Sequence, residues 1–288
     1  MKYRLNKKVK YKMDNVDFYL EDLKSKFNKI DFNKYYLSYS GGKDSHFLYW
    51  FIKEYLKDDK IQIVGINTYM EHHEILKRIY NNCDVVLYPK LKPLEIKEKY
   101  GIPCFSKWQD DMICRYQNGS RRPYLIERVT GIHKDTGEKV IGRFKLNNTA
   151  REKLLDGSLH KISPKCCEYL KKKPIKEFEK ESGKKAILGV RANESALRKV
   201  QYTSCFTKNG KFTPIFDLTD ELLNEIYRKY KIELPSLYKY LKRTGCCGCP
   251  YGSYKGDTQK ELALISEAQK QYVYKVFKES YEVLKINV

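Results

Sequence analysis

Apolar and polar positions follow two different periods along this chain. Short apolar runs that are typical of buried strands lie at 35–39 (YYLSY), 61–69 (IQIVGINTY), 83–89 (CDVVLYP) and 184–190 (KKAILGV). Apolar residues recur at helical spacing in 16–27, 46–56, 71–83 and 219–230, and over most of the C-terminal end. Strands that alternate with helices predict an α/β fold with an open, mostly parallel sheet and helices on both faces.

One segment interrupts this alternation. Residues 124–146 (YLIERVTGIHKDTGEKVIGRFKL) carry β-branched and aromatic residues on either side of Asp135, Thr136 and Gly137. Such a pattern predicts a β-hairpin with its turn at these three residues. We therefore expect a hairpin insertion in the α/β domain.

The first strand leads directly into SGGKDS, residues Ser40–Ser45. A strand that turns into a helix leaves free N–H groups at the helix start, and glycines allow a ligand to approach them closely. The hydroxyls of Ser40 and Ser45 and the charge of Lys43 add further phosphate-binding groups. The spacing does not match a Walker A motif, and a simple turn capped by Ser45 is the structural alternative.

A second polar segment, GVRANESALRK (189–199), also follows a predicted strand. In a parallel sheet this segment lies at the same carboxyl edge as the glycine loop. Arg191 and Arg198 are suited to bidentate oxyanion contacts, and Glu194 is a candidate partner for one of them. A surface helix with an internal Glu–Arg pair is the alternative.

Composition adds limits and candidates. The chain has 288 residues, of which 41% are hydrophobic, so it is long enough for one large or two modest globular domains. It contains no apolar run of membrane-spanning length and no signal peptide pattern, so a cytoplasmic location is expected. A net charge of +21 suits a nucleic-acid partner or an anionic substrate, although a lysine-rich composition also fits an AT-rich coding bias.

Nine cysteines in such a chain suggest metal or redox chemistry before disulfides. Five of them form two tight groups, Cys166–Cys167 and Cys246, Cys247 and Cys249. A Cys-x-x-Cys pair with two further thiolates supplies four sulfur ligands, which fit an iron–sulfur cluster or zinc. The adjacent pair favours the iron–sulfur cluster, and the neighbours Cys246 and Cys247 remain alternatives for one ligand position.

Four motifs together resemble the PAPS reductase family of the PP-loop ATP pyrophosphatase superfamily. They are SGGKDS, INTYMEHHEI (66–75), GVRANESALRK, and the segment PIFDLTDELLNEIYRKYKIELPSLYKYLKRTGCCGCP (214–250). The tandem cysteines followed by Cys-x-x-Cys are similar to the ligand pattern of iron–sulfur adenylyl-sulfate reductases. The motifs occur in the family's order and cover about residues 33–253.

The resemblance implies a set of site residues. It implies catalytic roles for Lys43, Asp44 and Arg191, and a four-iron, four-sulfur cluster on Cys166, Cys167, Cys246 and Cys249. It implies ATP, or alternatively adenylyl sulfate, as the nucleotide, with Mg²⁺ beside ATP. The implied nucleotide-binding residues are Ser38, Ser40, Gly41, Gly42, Lys43, Asp44, Ser45, Asn67, Arg191, Glu194, Ser195 and Arg198.

The chain departs from the family's pattern at three points. Asn67 stands where the family has an acidic residue, the loop keeps both Lys43 and Asp44, and no cysteine follows Cys249. An intact loop is similar to members that split ATP between its α and β phosphates, so we expect an ATP-using sulfur-transfer enzyme. A sulfonucleotide reductase, and a non-catalytic regulator that binds nucleotide and cluster, are the alternatives.

These inferences divide the chain into three parts. Residues 1–30 form a basic lead and a helix, residues 31–245 the PP-loop catalytic domain with its hairpin insertion, and residues 246–288 the cysteine-bearing turn and C-terminal helices. Expected partners are an adenine nucleotide, a candidate nucleic-acid acceptor, and a sulfur donor or thiol carrier protein. Residues 100–122 are basic and aromatic and are candidates to line the acceptor site.

Overall fold

The computed structural model describes residues 16–142, 145–194, 196–242 and 244–288, with side chains for all of these except 194, 196, 197, 254 and 255. The chain divides into two compact units. Unit 1 comprises 1–64, 83–85 and 182–234, and unit 2 comprises 65–82, 86–181 and 235–288. The basic lead at 1–15, Ser195 and the side chain of Glu194 lie outside the described residues.

Four short strands form one parallel sheet. They are β1 (Tyr35–Tyr39), β2 (Gln62–Ile66), β3 (Val85–Leu87) and β4 (Lys185–Leu188), in the spatial order β3-β2-β1-β4. Where β1 pairs with the edge strand β4, Tyr35 lies opposite Lys185 and Ser38 opposite Leu188. The predicted α/β class, its parallel sheet and its helical C-terminal end are confirmed.

Twelve α-helices accompany the sheet in the part of the chain that the structure describes. In chain order they are α1 (Val16–Phe27), α2 (Lys43–Trp50), α3 (His73–Asn82), α4 (Pro93–Tyr100), α5 (Lys107–Gln117), α6 (Pro123–Thr130), α7 (Asn148–Leu155), α8 (Lys173–Ser182), α9 (Ala196–Gln201), α10 (Asp220–Lys229), α11 (Asp257–Ala263) and α12 (Glu267–Leu284). Short π-helical turns follow α2 at Phe51–Tyr55 and precede α8 at Glu168–Lys172.

The predicted hairpin over 124–146 is wrong in its first part. Pro123 occupies the first turn of α6, and the helix ends at Gly131 in the left-handed conformation. Of the residues described after α6 in this segment, Ile132 and Lys139 form one antiparallel bridge around the predicted turn. Leu125 and Val129, one helical turn apart, are buried, so packing of a helical stripe overrides the β propensity of this segment.

Aromatic residues dominate the core of unit 1. The ring of Phe27 in α1 lies 5.3 Å from Phe51 and 5.3 Å from Phe212, and all three are fully buried. Tyr36 and Leu37 of β1 are also fully buried. Burial of each such side chain contributes on the order of 1.5–3 kcal/mol, which fixes β1 in position.

Helix α12 organises the core of unit 2. Its buried residues Val273, Val276, Phe277 and Tyr281 belong to one apolar cluster together with Cys247. Its Ser280 donates a hydrogen bond to the carbonyl of Pro103 at 2.8 Å and lies 3.0 Å from His160 Nε2. Among the described residues, no helix has the length and apolar character needed to cross a bilayer.

His160 makes the stability of unit 2 sensitive to acid. Burial lowers the pKa of His160 from 6.5 to about 4, partly opposed by the charge of Glu279. The unfolded chain therefore takes up this proton before the folded chain does, and stability is lost as pH falls from about 6.5 towards 4. Burial raises the pKa of Asp110 to about 6, so that carboxyl acts in the opposite direction.

We predict that His160→Gln, which keeps a donor towards Ser280, removes this loss. Between pH 7 and pH 4.5, the free energy of unfolding of the wild type should fall relative to that of the variant by roughly 1–3 kcal/mol. Urea unfolding at several pH values measures the difference, in which the contribution of Asp110 cancels. Parallel pH curves for the two proteins would contradict the prediction.

Candidate functional site

The SGGKDS loop connects β1 to α2 within unit 1. Gly41 has a φ of 72°, a left-handed conformation that glycine adopts without strain. Gly42 is the N-cap residue of α2, and no side-chain hydrogen bond caps this helix. The start of α2 therefore has the backbone arrangement and the positive dipole end of an anion-binding helix start.

The two serines hold the loop in shape. Ser45 Oγ donates to the carbonyl of Gly42 at 3.0 Å and accepts from the N–H of Ser40 at 3.2 Å. The hydroxyls of Ser40 and Ser45 lie 3.0 Å apart. Ser45 is buried, so its hydroxyl has a structural role within the loop, while Ser40 is exposed.

The end of β4 passes very close to the loop. A Cβ atom built on Gly189 would lie 2.8 Å from the backbone nitrogen of Ser45 and 2.9 Å from the carbonyl carbon of Asp44. Both neighbours are backbone atoms, so they cannot move aside as a side-chain tip could. Only glycine at 189 allows the loop and the end of β4 to take these positions.

Arg191 connects the loop to α10. Its Nε donates to Asp44 at 2.6 Å and one terminal nitrogen donates to Asp220 at 2.9 Å. Arg191 is buried, and its pKa is raised by the two carboxylates against the opposing effect of burial. A buried guanidinium held by two carboxylates is a rigid, permanent positive charge beside the phosphate-binding loop.

Lys43 is the second cation of the loop. Its ammonium contacts the side-chain oxygen of Asn224, and its carbonyl accepts a 2.6 Å hydrogen bond from Tyr227. Burial, followed by the charge of Arg191, lowers the pKa of Lys43 from its ordinary value. A bound anion would relieve this repulsion between neighbouring cations.

Helix α10 thus supplies contacts that the sequence motifs do not include. Asp220, Asn224 and Tyr227 follow one another at helical spacing on one face of α10 and contact Arg191 or Lys43. In the sequence, only the helical spacing of these three residues indicates that they share a face. Asp220 by itself looks like an ordinary acidic residue in a first helical turn. Thr219 caps this helix by accepting a hydrogen bond from the N–H of Leu222 at 3.2 Å.

Ser38, Arg198 and Asn67 were also predicted to bind the nucleotide, but their positions do not indicate this role. Ser38 is a half-buried strand residue of β1, and Arg198 is half-buried on α9. Asn67 belongs to unit 2, where its Oδ1 accepts from the N–H of Tyr69 at 2.8 Å and its Nδ2 donates to Tyr80 at 2.7 Å. These contacts give Asn67 a turn-forming role, and Tyr69 has a φ of 66° in that turn.

The predicted ligand cysteines come together in unit 2. Burial and the neighbouring thiols of Cys246, Cys167 and Cys249 raise the pKa of Cys166. Burial and the thiols of Cys246 and Cys167 also raise the pKa of Cys249. Each group of cysteines therefore lies within the electrostatic reach of the other, although they are far apart in sequence.

The immediate neighbours of Cys246 differ from those of Cys247. The thiol of Cys246 interacts with the ammonium of Lys171, whose pKa it raises, and lies 3.9 Å from the hydroxyl of Thr68. The side chain of Cys247 is buried in the apolar cluster with α12, and the backbone N–H of Cys247 donates to the carbonyl of Met70 at 2.7 Å. Successive side chains thus point to different surroundings, and Cys246 is the one directed to the other thiols.

A tight turn presents Cys246 and Cys249 together. The N–H of Cys249 donates to the carbonyl of Cys246 at 3.2 Å, and Gly248 between them has a φ of 64°. A Cβ atom on Gly248 would overlap Tyr281, whose hydroxyl donates to the carbonyl of the same glycine. The turn therefore requires glycine and is fixed to the unit 2 core.

The four-thiol donor set is one that an iron–sulfur cluster or a zinc ion would take. Four soft thiols with an adjacent lysine would give a thiolate cage with a compensating cation. A tetrahedral zinc ion brings its sulfur ligands to about 3.8 Å from one another. Across the described residues, the metal-ligating atoms that lie within 4.8 Å of one another in sets of three are those of His72, His73 and Glu74, with no set of cysteines.

His72 and Glu74 of that set already make hydrogen bonds within the protein. His72 Nε2 lies 3.1 Å from the carbonyl of Leu264, and its Nδ1 accepts from the N–H of Glu74. Both oxygens of the Glu74 carboxylate accept from Ser236. These bonds use the lone pairs that a metal would need and instead hold the start of α3.

The contrast between Cys246 and Cys247 predicts opposite results for two neighbouring variants. If the four predicted cysteines hold an iron–sulfur cluster, Cys246→Ala should abolish its broad visible absorbance in anaerobically purified protein, because one of four thiolate ligands is lost. Cys247→Ala should keep the absorbance and reduce the free energy of unfolding by about 1 kcal/mol, because it leaves a small cavity in the apolar cluster. Colour lost in Cys247→Ala and kept in Cys246→Ala would reverse the assignment.

The close approach at Gly189 predicts a strong effect of one methyl group. Gly189→Ala should displace the SGGKDS loop and weaken ATP binding at least tenfold, or lower the melting temperature by several degrees, because the clash of about 1–3 kcal/mol involves backbone atoms. Gly245→Ala is the control, since its Cβ would meet nothing within 4 Å. Calorimetric titration measures the ATP affinity and thermal unfolding measures the melting temperature. Equal values for Gly189→Ala and Gly245→Ala would contradict the prediction.

Comparison with known proteins does not show which family the chain belongs to. No family model matches the chain, and no curated protein matches it. The family resemblance therefore rests on the sequence motifs alone.

Proposed function

We propose that this protein is an ATP-using sulfur-transfer enzyme similar to the PAPS reductase family. The observation that carries the proposal is the arrangement in unit 1, where an uncapped helix start with Gly41 and Gly42 lies beside Lys43 and the buried Arg191. Amide donors and two cations at one loop are suited to the charge of a triphosphate and of a pyrophosphate leaving group.

In the first step, an oxygen of the acceptor attacks the α-phosphorus of ATP, and the bond from this phosphorus to the α–β bridging oxygen breaks. The products are an adenylated acceptor and pyrophosphate. Lys43 and the loop amides neutralise charge that develops on the leaving group, while Arg191 keeps Asp44 oriented. Mg²⁺, which prefers carboxylate and phosphate oxygens, would be held by Asp44 and the phosphates, and would supply further charge neutralisation.

In the second step, hydrosulfide released by the sulfur donor forms a bond to the acceptor carbon, and AMP leaves with the acceptor oxygen, so no oxidation state changes. Cys166, Cys167, Cys246 and Cys249 would hold a four-iron cluster, which with a cysteine on every iron would supply charge and local structure beside the site. Lys171 stabilises the thiolate of Cys246 through its positive charge. The net charge of +21 favours an acceptor with a phosphate backbone.

The alternative, a sulfonucleotide reductase, needs a thiolate nucleophile that is not a cluster ligand. Burial raises the pKa of Cys83 to about 12, and it also raises the pKa of Cys104, Cys205 and Cys247. Catalytic cysteines have lowered pKa values, so these four thiols are poor nucleophiles. The fifth candidate nucleophile is Cys114 on α5, so a reductase would have to use Cys114, whereas sulfur transfer needs no further cysteine.

We expect that Lys43→Met lowers the rate of pyrophosphate release from ATP by about 10²–10³-fold, because one charge at the leaving group is removed. Lys53→Met is the matched control, since Lys53 pairs with Asp59 on the surface of the same unit. Pyrophosphate release at the wild-type rate in Lys43→Met would contradict the assignment. Sulfite release from adenylyl sulfate, without pyrophosphate release from ATP, would instead identify the reductase.

A further inference from the structure

A cavity of about 490 Å³ opens in unit 2 beside one of the candidate cluster ligands. Its wall includes Cys167, the first turn of α5 with Lys107 and Trp108, and the segment from Lys165 to Lys172. The volume lies within the range of about 300–1,000 Å³ that is typical of small-molecule sites, so one nucleotide-sized group fits. A group bound here touches the same short segment that carries the tandem cysteines.

The lining of this cavity, which we term the Lys–Trp pocket, carries an excess of positive charge. Lys107, Lys165 and Lys172 line it, and Lys107 and Lys172 are exposed. Of its two carboxylates, Asp111 is already paired with Arg115 at 2.9 Å, and Glu168 lies near Lys173. The pocket therefore attracts an anionic ligand.

Aromatic rings and arginines extend from this pocket along α5 and α6. The guanidinium of Arg128 lies 5.6 Å from the ring centre of Trp108 and 5.7 Å from that of Tyr124. Arg115 donates to the hydroxyl of Tyr124 at 3.0 Å. Trp108 is half-buried and Tyr124 is exposed, so aromatic rings are accessible at the edge of the pocket. Nucleic-acid bases stack on aromatic rings and on arginine planes.

We propose that the Lys–Trp pocket binds one extruded nucleotide of a single-stranded nucleic acid, whose neighbouring phosphates contact Lys107 and Lys172 and whose bases stack at Trp108. This inference rests on the proposed function in one respect, since it names the acceptor class of the sulfur transfer. A double helix cannot place a base in such a pocket without unpairing it, so single strands are the expected ligand. An acidic protein would use the lysines but has no base to stack on the tryptophan.

The test is binding of a fluorescein-labelled, unstructured single-stranded RNA of about 12 nucleotides, a length within the range of about 4–16 that one stacking groove covers. Fluorescence anisotropy over a series of salt concentrations gives both the Kd and its salt dependence. The protein is used as purified anaerobically, without ATP. A second RNA with 4-thiouridine allows photocrosslinked peptides to be identified by mass spectrometry.

Two variants should change different quantities. Trp108→Leu, which keeps an apolar side chain but removes the flat ring, should raise the Kd about tenfold with an unchanged salt slope. The double variant Lys107→Gln/Lys172→Gln should reduce the magnitude of the salt slope by about 0.7 for each lost phosphate contact. Crosslinks should map to α5 and to the segment from Lys165 to Lys172.

Matched controls lie on other surfaces of the same unit. Tyr274→Leu removes an exposed aromatic ring from α12, and Lys180→Gln/Lys278→Gln removes two exposed lysines. Both controls should bind RNA as the wild type does. Circular dichroism melting curves identify any variant that is unfolded. If a pocket variant is unfolded, the crosslinks formed by the wild-type protein decide the test in its place.

The proposal is overturned if the pocket variants and the controls bind RNA equally, or if crosslinks map elsewhere. It is also overturned if duplex RNA binds as tightly, or if poly-glutamate displaces the RNA at equal charge concentration, which would indicate an acidic protein ligand. Lys43→Met should bind RNA with the wild-type Kd, because Lys43 does not line the pocket. Wild-type protein that binds RNA as expected but releases no pyrophosphate from ATP would refute the proposed function and leave this site intact.

Discussion

The parallel pairing of β1 with β4 is the constraint on which unit 1 depends. Because their carboxyl ends meet at one edge, the residues after each strand share a small volume. Gly189 leaves no room for a Cβ against the loop backbone, and Arg191 then reaches Asp44 at 2.6 Å. The loop is thus held by backbone contact on one side and by a buried ion pair on the other.

A buried pair of this kind contributes more to orientation than to stability. Desolvation of a guanidinium and its carboxylates offsets much of their attraction, so replacement by apolar side chains often costs little. What the pair provides is a fixed positive charge that does not need to be organised when a phosphate arrives. Preorganisation of this sort is consistent with a site for phosphoryl or adenylyl chemistry.

In unit 2 a comparable constraint acts on the cysteines. Gly248 and Tyr281 fix a turn in which Cys247 is directed into the apolar cluster and Cys246 towards Lys171 and the other thiols. Thiols that are buried beside one another favour the neutral form, as their raised pKa values indicate. A bound cluster would reverse this preference by supplying positive charge, and metal binding of this kind is coupled to proton release.

The sequence predicted strand and helix positions well where hydrophobic period and turn chemistry agreed, as at β1, α1 and the capped start of α10. It failed at α6, where Pro123 and Gly131 mark a helix start and end but aromatic and β-branched residues suggested strands. It identified the loop and Arg191, since glycine and arginine patterns are local. It missed Asp220, Asn224 and Tyr227, whose role depends on a tertiary contact that no local pattern encodes.

Positional isotope exchange in ATP tests the central claim, cleavage between the α and β phosphates, most directly. ATP that carries oxygen-18 in the α–β bridge is incubated with the anaerobic protein and single-stranded RNA, and phosphorus NMR follows the label. Reversible formation of bound pyrophosphate predicts that the label moves from the bridge into the non-bridging positions of the β-phosphate. ATP consumption to ADP and phosphate with the label still in the bridge would contradict the account.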